Sequence, residues 1–141
     1  MKHPIYPCLW FDGQAKEAAI FYCSVFKDAK ILLDTELVVT FEIKGQKFMG
    51  LNGGPNFKFN EAVSFVIDCD TQEEIDYYWE TLTSDGGQES VCGWCKDKYG
   101  VSWQIVPAIL SKLMSDPAKA QRVIKAIMPM KKLDIETMIN A

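Results

Sequence analysis

The sequence predicts an α+β fold: two paired βαβββ modules whose curved mixed sheets enclose a cavity, followed by a helical C-terminal tail. Three observations point there. The order strand, helix, strand, strand, strand occurs over residues 5–53 and again over residues 62–107. The spacing recurs with it: Pro7 to Phe21 and Ser64 to Tyr78 are both fourteen residues, and Gly45 to Met49 and Gly100 to Gln104 are both four. After Pro107 the pattern turns helical through residues 108–141. Repeated units stack because neither buries its apolar face alone, so a ligand site is expected at matched positions of the two copies.

Each element has its own signal. Ile5 to Phe11 reads as a buried strand, with Pro7 placing it at an edge or a bulge. Gly13 marks a turn, and Ala15, Ala18, Ala19, Phe21, Tyr22 and Val25 give an apolar face at helical spacing. Ile31 to Leu33 reads as a short strand. Leu37 to Ile43 and Lys47 to Leu51 form a hairpin about Lys44-Gly45-Gln46. Asn52-Gly53-Gly54-Pro55-Asn56 is a loop. Ala62 to Asp68 opens the second copy. Thr71 and Glu74 form a capping box for a helix with Ile75, Tyr78, Trp79 and Leu82 on its apolar face. Asp85-Gly86-Gly87 ends it. Glu89 to Lys96 and Val101 to Val106 flank the turn Asp97-Lys98-Tyr99-Gly100. In the tail, Ile109 to Met114 and Ala118 to Met128 read as helices split by Asp116-Pro117. Leu133, Ile135, Met138 and Ile139 continue an apolar stripe.

Composition narrows the function classes. The chain has 141 residues, 48% of them hydrophobic, which suits one domain with a packed core. No run nears the roughly 18 apolar residues of a membrane span, and the N-terminus lacks the apolar stretch of a signal peptide. Net charge is −4 and the basic residues are scattered, so neither nucleic acid nor membrane is an expected partner. Five cysteines, an odd number, fit free thiols in a cytoplasmic protein.

Several segments together resemble a known family. They are Pro7 to Ala18, Phe21-Tyr22, Phe48 to Pro55, Gln72 to Trp79, Cys92-Gly93-Trp94, Asp97 to Pro107 and Lys131 to Ile135. They look like the PhnB-like proteins, whose family is labelled 3-demethylubiquinone 3-methyltransferase. That family lies within the glyoxalase/bleomycin-resistance/dioxygenase, or vicinal-oxygen-chelate, superfamily. The resemblance implies a single domain over residues 1–141 and a homodimer. It says little about activity, because this fold hosts many.

Metal-using members of that superfamily hold a divalent ion with His or Gln on the first strand of each module and Glu on the last. The fourteen-residue spacing places Pro7 and Ser64 at the first-strand positions. The turn-glycine spacing places Met49 and Gln104 at the last. None is an imidazole or carboxylate, and serine and glutamine are weak neutral ligands. His3, the one histidine, precedes the first strand. The site is therefore expected to hold no metal and no cofactor. Ser64 and Gln104 are left to hydrogen-bond a ligand, each other or a buried water. Alternation along strands puts Pro7, Leu9 and Phe11 on one face, Ser64, Val66 and Asp68 on another, and Ser102, Gln104 and Val106 on a third. The ligand cavity is thus read as Pro7, Leu9, Phe11, Met49, Ser64, Val66, Ser102 and Gln104, with no catalytic residue assignable. Cys8, Trp10, Phe65, Ile67, Trp103 and Ile105 then face the helices.

Other motifs add no chemistry. Cys92-Gly-Trp-Cys95 has redox spacing, but reads as strand, where i and i+3 point to opposite faces about 10 Å apart. Asn52-Gly-Gly-Pro is no phosphate loop. The Gly-rich first turn of a doubly wound fold, the usual home of S-adenosylmethionine, is missing, so the residues do not support methyl transfer. Relatives of the family carry a longer Gly-rich segment between the second and third strands. Asp34-Thr35-Glu36-Leu37 is either a tight hairpin or a place where a loop has been left out of the chain; it lacks an Asn-Gly, Asp-Gly or Gly-x hairpin signal, which favours the omitted loop.

The reading that follows is a cytoplasmic, homodimeric small-molecule-binding protein with a degenerate metal site. A metal-dependent isomerase, lyase or dioxygenase is one alternative. An antibiotic-sequestering protein of the resistance type is another.

Overall fold

A computed structural model describes residues 3–141, which fall into two compact units, residues 3–59 and 60–141. The first contains β1 (Cys8–Phe11), α1 (Ala15–Val25), β2 (Ala29–Asp34), β3 (Val38–Ile43) and β4 (Gln46–Asn52). The second contains β5 (Ser64–Cys69), α2 (Gln72–Thr83), β6 (Gln88–Glu89), β7 (Trp94–Lys96) and β8 (Ser102–Pro107). The tail supplies α3 (Leu110–Leu113), α4 (Pro117–Ile127) and α5 (Ile135–Ile139) to the second unit. Each unit holds a four-stranded mixed sheet, ordered β1-β4-β3-β2 and β5-β8-β7-β6. In both, the first strand lies parallel to the last and the other pairs are antiparallel. The repeat predicted from sequence is therefore a repeat of topology.

In the first unit, Ala15, Ala18, Ala19, Tyr22 and Val25 bury one stripe of α1. The alanines let the helix lie close: a Cβ on Gly50 would meet that of Ala15 at 3.1 Å. Tyr22 stacks on Phe41 and Phe41 on Phe48, with ring centroids 5.8 and 5.4 Å apart. Gln14 supplies no cap to α1. Asn52 does so from the end of β4, its Oδ1 accepting from the Ala15 N–H at 2.9 Å. Its Nδ2 donates to the Glu36 carbonyl at 2.9 Å, so one side chain ties the helix start to the β2–β3 turn.

That turn corrects the expectation of an omitted loop. β2 and β3 form a hairpin, with Asp34 abreast of Val39. The Thr35 N–H donates to the Val38 carbonyl at 2.9 Å, and the Thr35 hydroxyl accepts from the Val38 N–H at 3.0 Å. A threonine hydroxyl closes the turn through its own backbone contacts, and no residue from 34 to 38 has positive φ.

In the second unit Thr71 caps α2, its hydroxyl accepting from the Glu74 N–H at 3.2 Å, as the capping box predicts. Ile75, Tyr78, Trp79 and Leu82 form the buried stripe. Glu89 to Lys96 is not one strand. It breaks at Cys92 and Gly93, which have φ of 57° and 85°. Their N–H groups donate to the Met130 and Lys131 carbonyls, both at 2.8 Å, so the tail pins the break. Gln72 clamps the tail from the other side. Its amide donates to the Leu133 carbonyl at 3.0 Å and accepts from the Ile135 N–H at 2.9 Å. Val123, Leu133 and Met138 form the buried centre of the tail, against Val106 at the end of β8.

Candidate functional site

The predicted site residues of the first unit do not share a face. Leu9 and Phe11 are 7% and 2% exposed and belong to the core. A Cβ on Gly50 would meet the Phe11 ring at 3.4 Å, beside Ala15, so this face of β1 is the helix side. Cys8 is exposed and Trp10 half-buried, the reverse of the predicted phase. Met49 stands abreast of Cys8 and Thr40, on the face away from the helix. Pro7 precedes edge strand β1, and its carbonyl accepts from the Met49 N–H at 3.0 Å. The residue matching Ser64 in phase is thus Tyr6, whose ring lies 4.2 Å from Lys47 Nζ. The shift arises because strand and helix do not keep one spacing. Leu9 and Phe11 correspond in burial to Ile67 and Cys69, but Ala15, Ala18, Ala19 and Tyr22 correspond to Ile75, Tyr78, Trp79 and Leu82. Trp10 holds the loop after β4. Its Nε1 donates to the Gly54 carbonyl at 2.8 Å, and a Cβ on Gly53 would stand 2.4 Å from its ring.

In the second unit the predicted set does share a face. Ile67, Cys69, Cys95, Trp103 and Ile105 are buried. Alternation leaves Ser64, Val66, Ser102 and Gln104 on the opposite, open face. Ser64 stands abreast of Ser102 and Val66 abreast of Gln104. Gln104 Nε2 donates to Ser64 Oγ at 2.9 Å, so the two candidate ligand positions of this module are bonded to each other. Among the described residues no three His, Cys, Asp or Glu side chains come together in a way that could hold a metal ion. This neutral, mutually bonded pair does not fit a divalent cation.

Sequence reasoning missed the other half of this face. Lys96 pairs with Ser102 in register, Gln88 with Lys96, and Trp94 with Gln104. A pocket of 180 Å³ opens here, with Glu61, Gln88, Ser90, Trp94, Lys96 and Ser102 among its walls. Lys96 is ion-paired with Glu61, whose carboxyl is held below the usual carboxylate range first by that hydrogen bond. Ser102 is 1% exposed, and its hydroxyl has no protein partner. The registers of β6 on β7 and β7 on β8, with the loop that carries Glu61, bring these residues together, and no local motif encodes that.

Asp97 is a buried carboxylate beside this face, but its role is structural. It is 2% exposed. Its carboxylate accepts from the Tyr99 N–H at 2.9 Å, the Val101 N–H at 3.1 Å and Trp103 Nε1 at 2.9 Å. Donors from its own turn and the following strand occupy it. Burial pushes the Cys95 thiol up to about 12, so this cysteine is no nucleophile.

Known proteins share the arrangement of this chain over most of its length. A family model described as 3-demethylubiquinone-9 3-methyltransferase matches residues 3–106. The chain belongs to that family. A PhnB protein from Bacillus cereus is 32% identical, with a TM-score of 0.66, over 74% of this chain and 99% of that one. Protein PA1353 from Pseudomonas aeruginosa is 18% identical, with a TM-score of 0.61, over 74% of this chain and 98% of its own. The fosfomycin resistance protein FosX from Listeria monocytogenes is 15% identical, with a TM-score of 0.55, over 77% and 91%. At these last two identities the likeness is one of fold alone. No curated protein matches the chain. The family match ends at residue 106, ahead of the helical tail.

Proposed function

We propose that this family member is a small-molecule-binding protein that uses the open face of its second sheet and needs no resident divalent metal. The observation that carries the reading is the buried Ser102 hydroxyl, without a protein partner, in the wall of a 180 Å³ pocket. A buried polar group left unsatisfied costs about 1–3 kcal/mol, which a ligand atom can recover. Trp94 supplies an apolar wall, so the ligand is partly apolar. A neutral hydroxyl and a neutral amide, with no carboxylate or imidazole beside them, support a metal-free site. Methyl transfer gains no support from the family label alone, since two four-stranded mixed sheets are not the doubly wound fold that usually holds S-adenosylmethionine.

We propose further that the protein is a cytoplasmic homodimer. The free thiols support a reducing compartment. Leu32, Leu33 and Leu37 stay exposed along edge strand β2 and its turn, which supports burial against a second copy. A small-molecule screen by thermal shift tests the binding reading, because a specific ligand raises stability by mass action. Sedimentation at micromolar concentration tests the dimer, for which a buried area above about 1,000 Å² is expected.

A further inference from the structure

Four polar side chains stand abreast across the whole second sheet. The register runs Gln88 to Lys96, Lys96 to Ser102, and Ser102 to Ser64, all on the open face. The row offers an amide, an ammonium and two hydroxyls. Its ion-paired negative partner is Glu61, from the loop before β5; Glu89 also lines the pocket, with its carboxylate accepting from Trp79 Nε1. The Glu61 side chain is 61% exposed, against 32% for Lys96, so the carboxylate lies largely in water while the cation sits lower on the sheet. An exposed ion pair of this kind contributes little, and a competing anion displaces it readily. The next row holds Trp94 beside Gln104. The indoles of Trp10, Trp79 and Trp103 donate to Gly54, Glu89 and Asp97. Among the described residues Trp94 is the tryptophan whose N–H has no such bond.

We propose that this row is an anion subsite: the ligand carries a carboxylate or phosphate whose oxygens take the Lys96 ammonium from Glu61 and accept from Ser102, with its apolar part against Trp94. Glu61 is then a counter-ion that holds Lys96 in place until the ligand arrives. The inference rests on the binding reading above and adds the ligand's charge and the group it displaces.

The probe pair is benzoate and benzamide, alike in shape but one charged and the other neutral. The readout is the Trp94 indole N–H resonance, titrated at constant ionic strength. Benzoate is expected to shift it with a Kd of about 1–10 mM, and benzamide about tenfold more weakly. Glu61→Gln should tighten benzoate about tenfold and leave benzamide unchanged, while Lys96→Met should remove the difference between the two probes. Ser102→Ala should weaken benzoate without moving the other indole resonances. Inorganic phosphate competing with benzoate would identify phosphate esters as ligands, and failure to compete would identify carboxylates. Equal binding of both probes, or benzoate affinity indifferent to Glu61→Gln and Lys96→Met, overturns the anion subsite and leaves the binding reading standing. No shift of Trp94 with either probe overturns both.

Discussion

Gln104 donates to Ser64 across the parallel strands β8 and β5, at 2.9 Å. The bond joins the two residues of the second module that the sequence spacing marked as candidate ligand positions, and both are neutral. Ser64→Ala should lower stability by about 1 kcal/mol, and adding Gln104→Leu should cost less than the sum of the single changes. Urea unfolding of the four proteins in the cycle checks it. Fully additive losses would mean that the bond contributes nothing.

Asp97 is the residue whose loss should most damage the second unit. Asp97→Ala removes the acceptor for three donors, two of them backbone, and should cost about 3 kcal/mol or more. Asp97→Asn retains one acceptor oxygen and should cost less. Denaturant unfolding measures both. A loss of ligand binding with stability unchanged would instead give Asp97 a part in binding.

The tail should come loose in acid before the core unfolds. Lys132 holds the Asp76 carboxyl below its usual range first by a hydrogen bond, with Gln72 second, at an ion-pair distance of 2.8 Å. Asp134, capping α5, is lowered first by the Thr137 N–H. A carboxyl depressed in the folded state contributes stability that is complete above its unfolded value, about 3.9. That contribution is lost as pH falls through the lower, folded value. Amide exchange across residues 133–139 should therefore speed up below about pH 4, ahead of exchange in β8. Gln72→Ala should produce the same loosening at neutral pH. Simultaneous exchange of tail and β8 at every pH would contradict it.

Thiol reactivity should rank by burial. Cys8 is exposed and should be alkylated first by iodoacetamide, while Cys69 and Cys95 are buried and should stay unmodified in the native protein. Desolvation raises the Cys8 thiol, so its labelling should accelerate as pH rises above neutral. Peptide mapping after timed alkylation reads the order. Rapid labelling of Cys95 in folded protein would show that edge strand β6 comes away from β7.

How much of this was legible in the sequence depended on whether the signal was local. The helix stripes were, because burial at Ile75, Tyr78, Trp79 and Leu82 follows from period alone. So was the Thr71 cap, and so was the open face of β5 and β8, where alternation alone separates Ser64, Val66, Ser102 and Gln104 from the core. The first strand was not: Cys-Leu-Trp-Phe is apolar at every position, so alternation cannot say which face is inside. Counting from the helix aromatics then put the phase one residue off. The β2–β3 turn escaped because a threonine hydroxyl closes it where glycine is the usual sign. Lys96 and Gln88 escaped because only strand register gathers them beside Ser102, and Glu61 because it reaches them from the loop before β5.

The open face of the second sheet is proposed to bind a small molecule without a divalent metal. The most direct test is the melting temperature of the protein titrated with a screening hit in the presence of EDTA, for the native chain and for Ser102→Ala. The account predicts a saturable rise that EDTA leaves intact and that Ser102→Ala reduces. A rise abolished by EDTA and restored by a divalent ion would contradict it, and so would one that Ser102→Ala leaves unchanged.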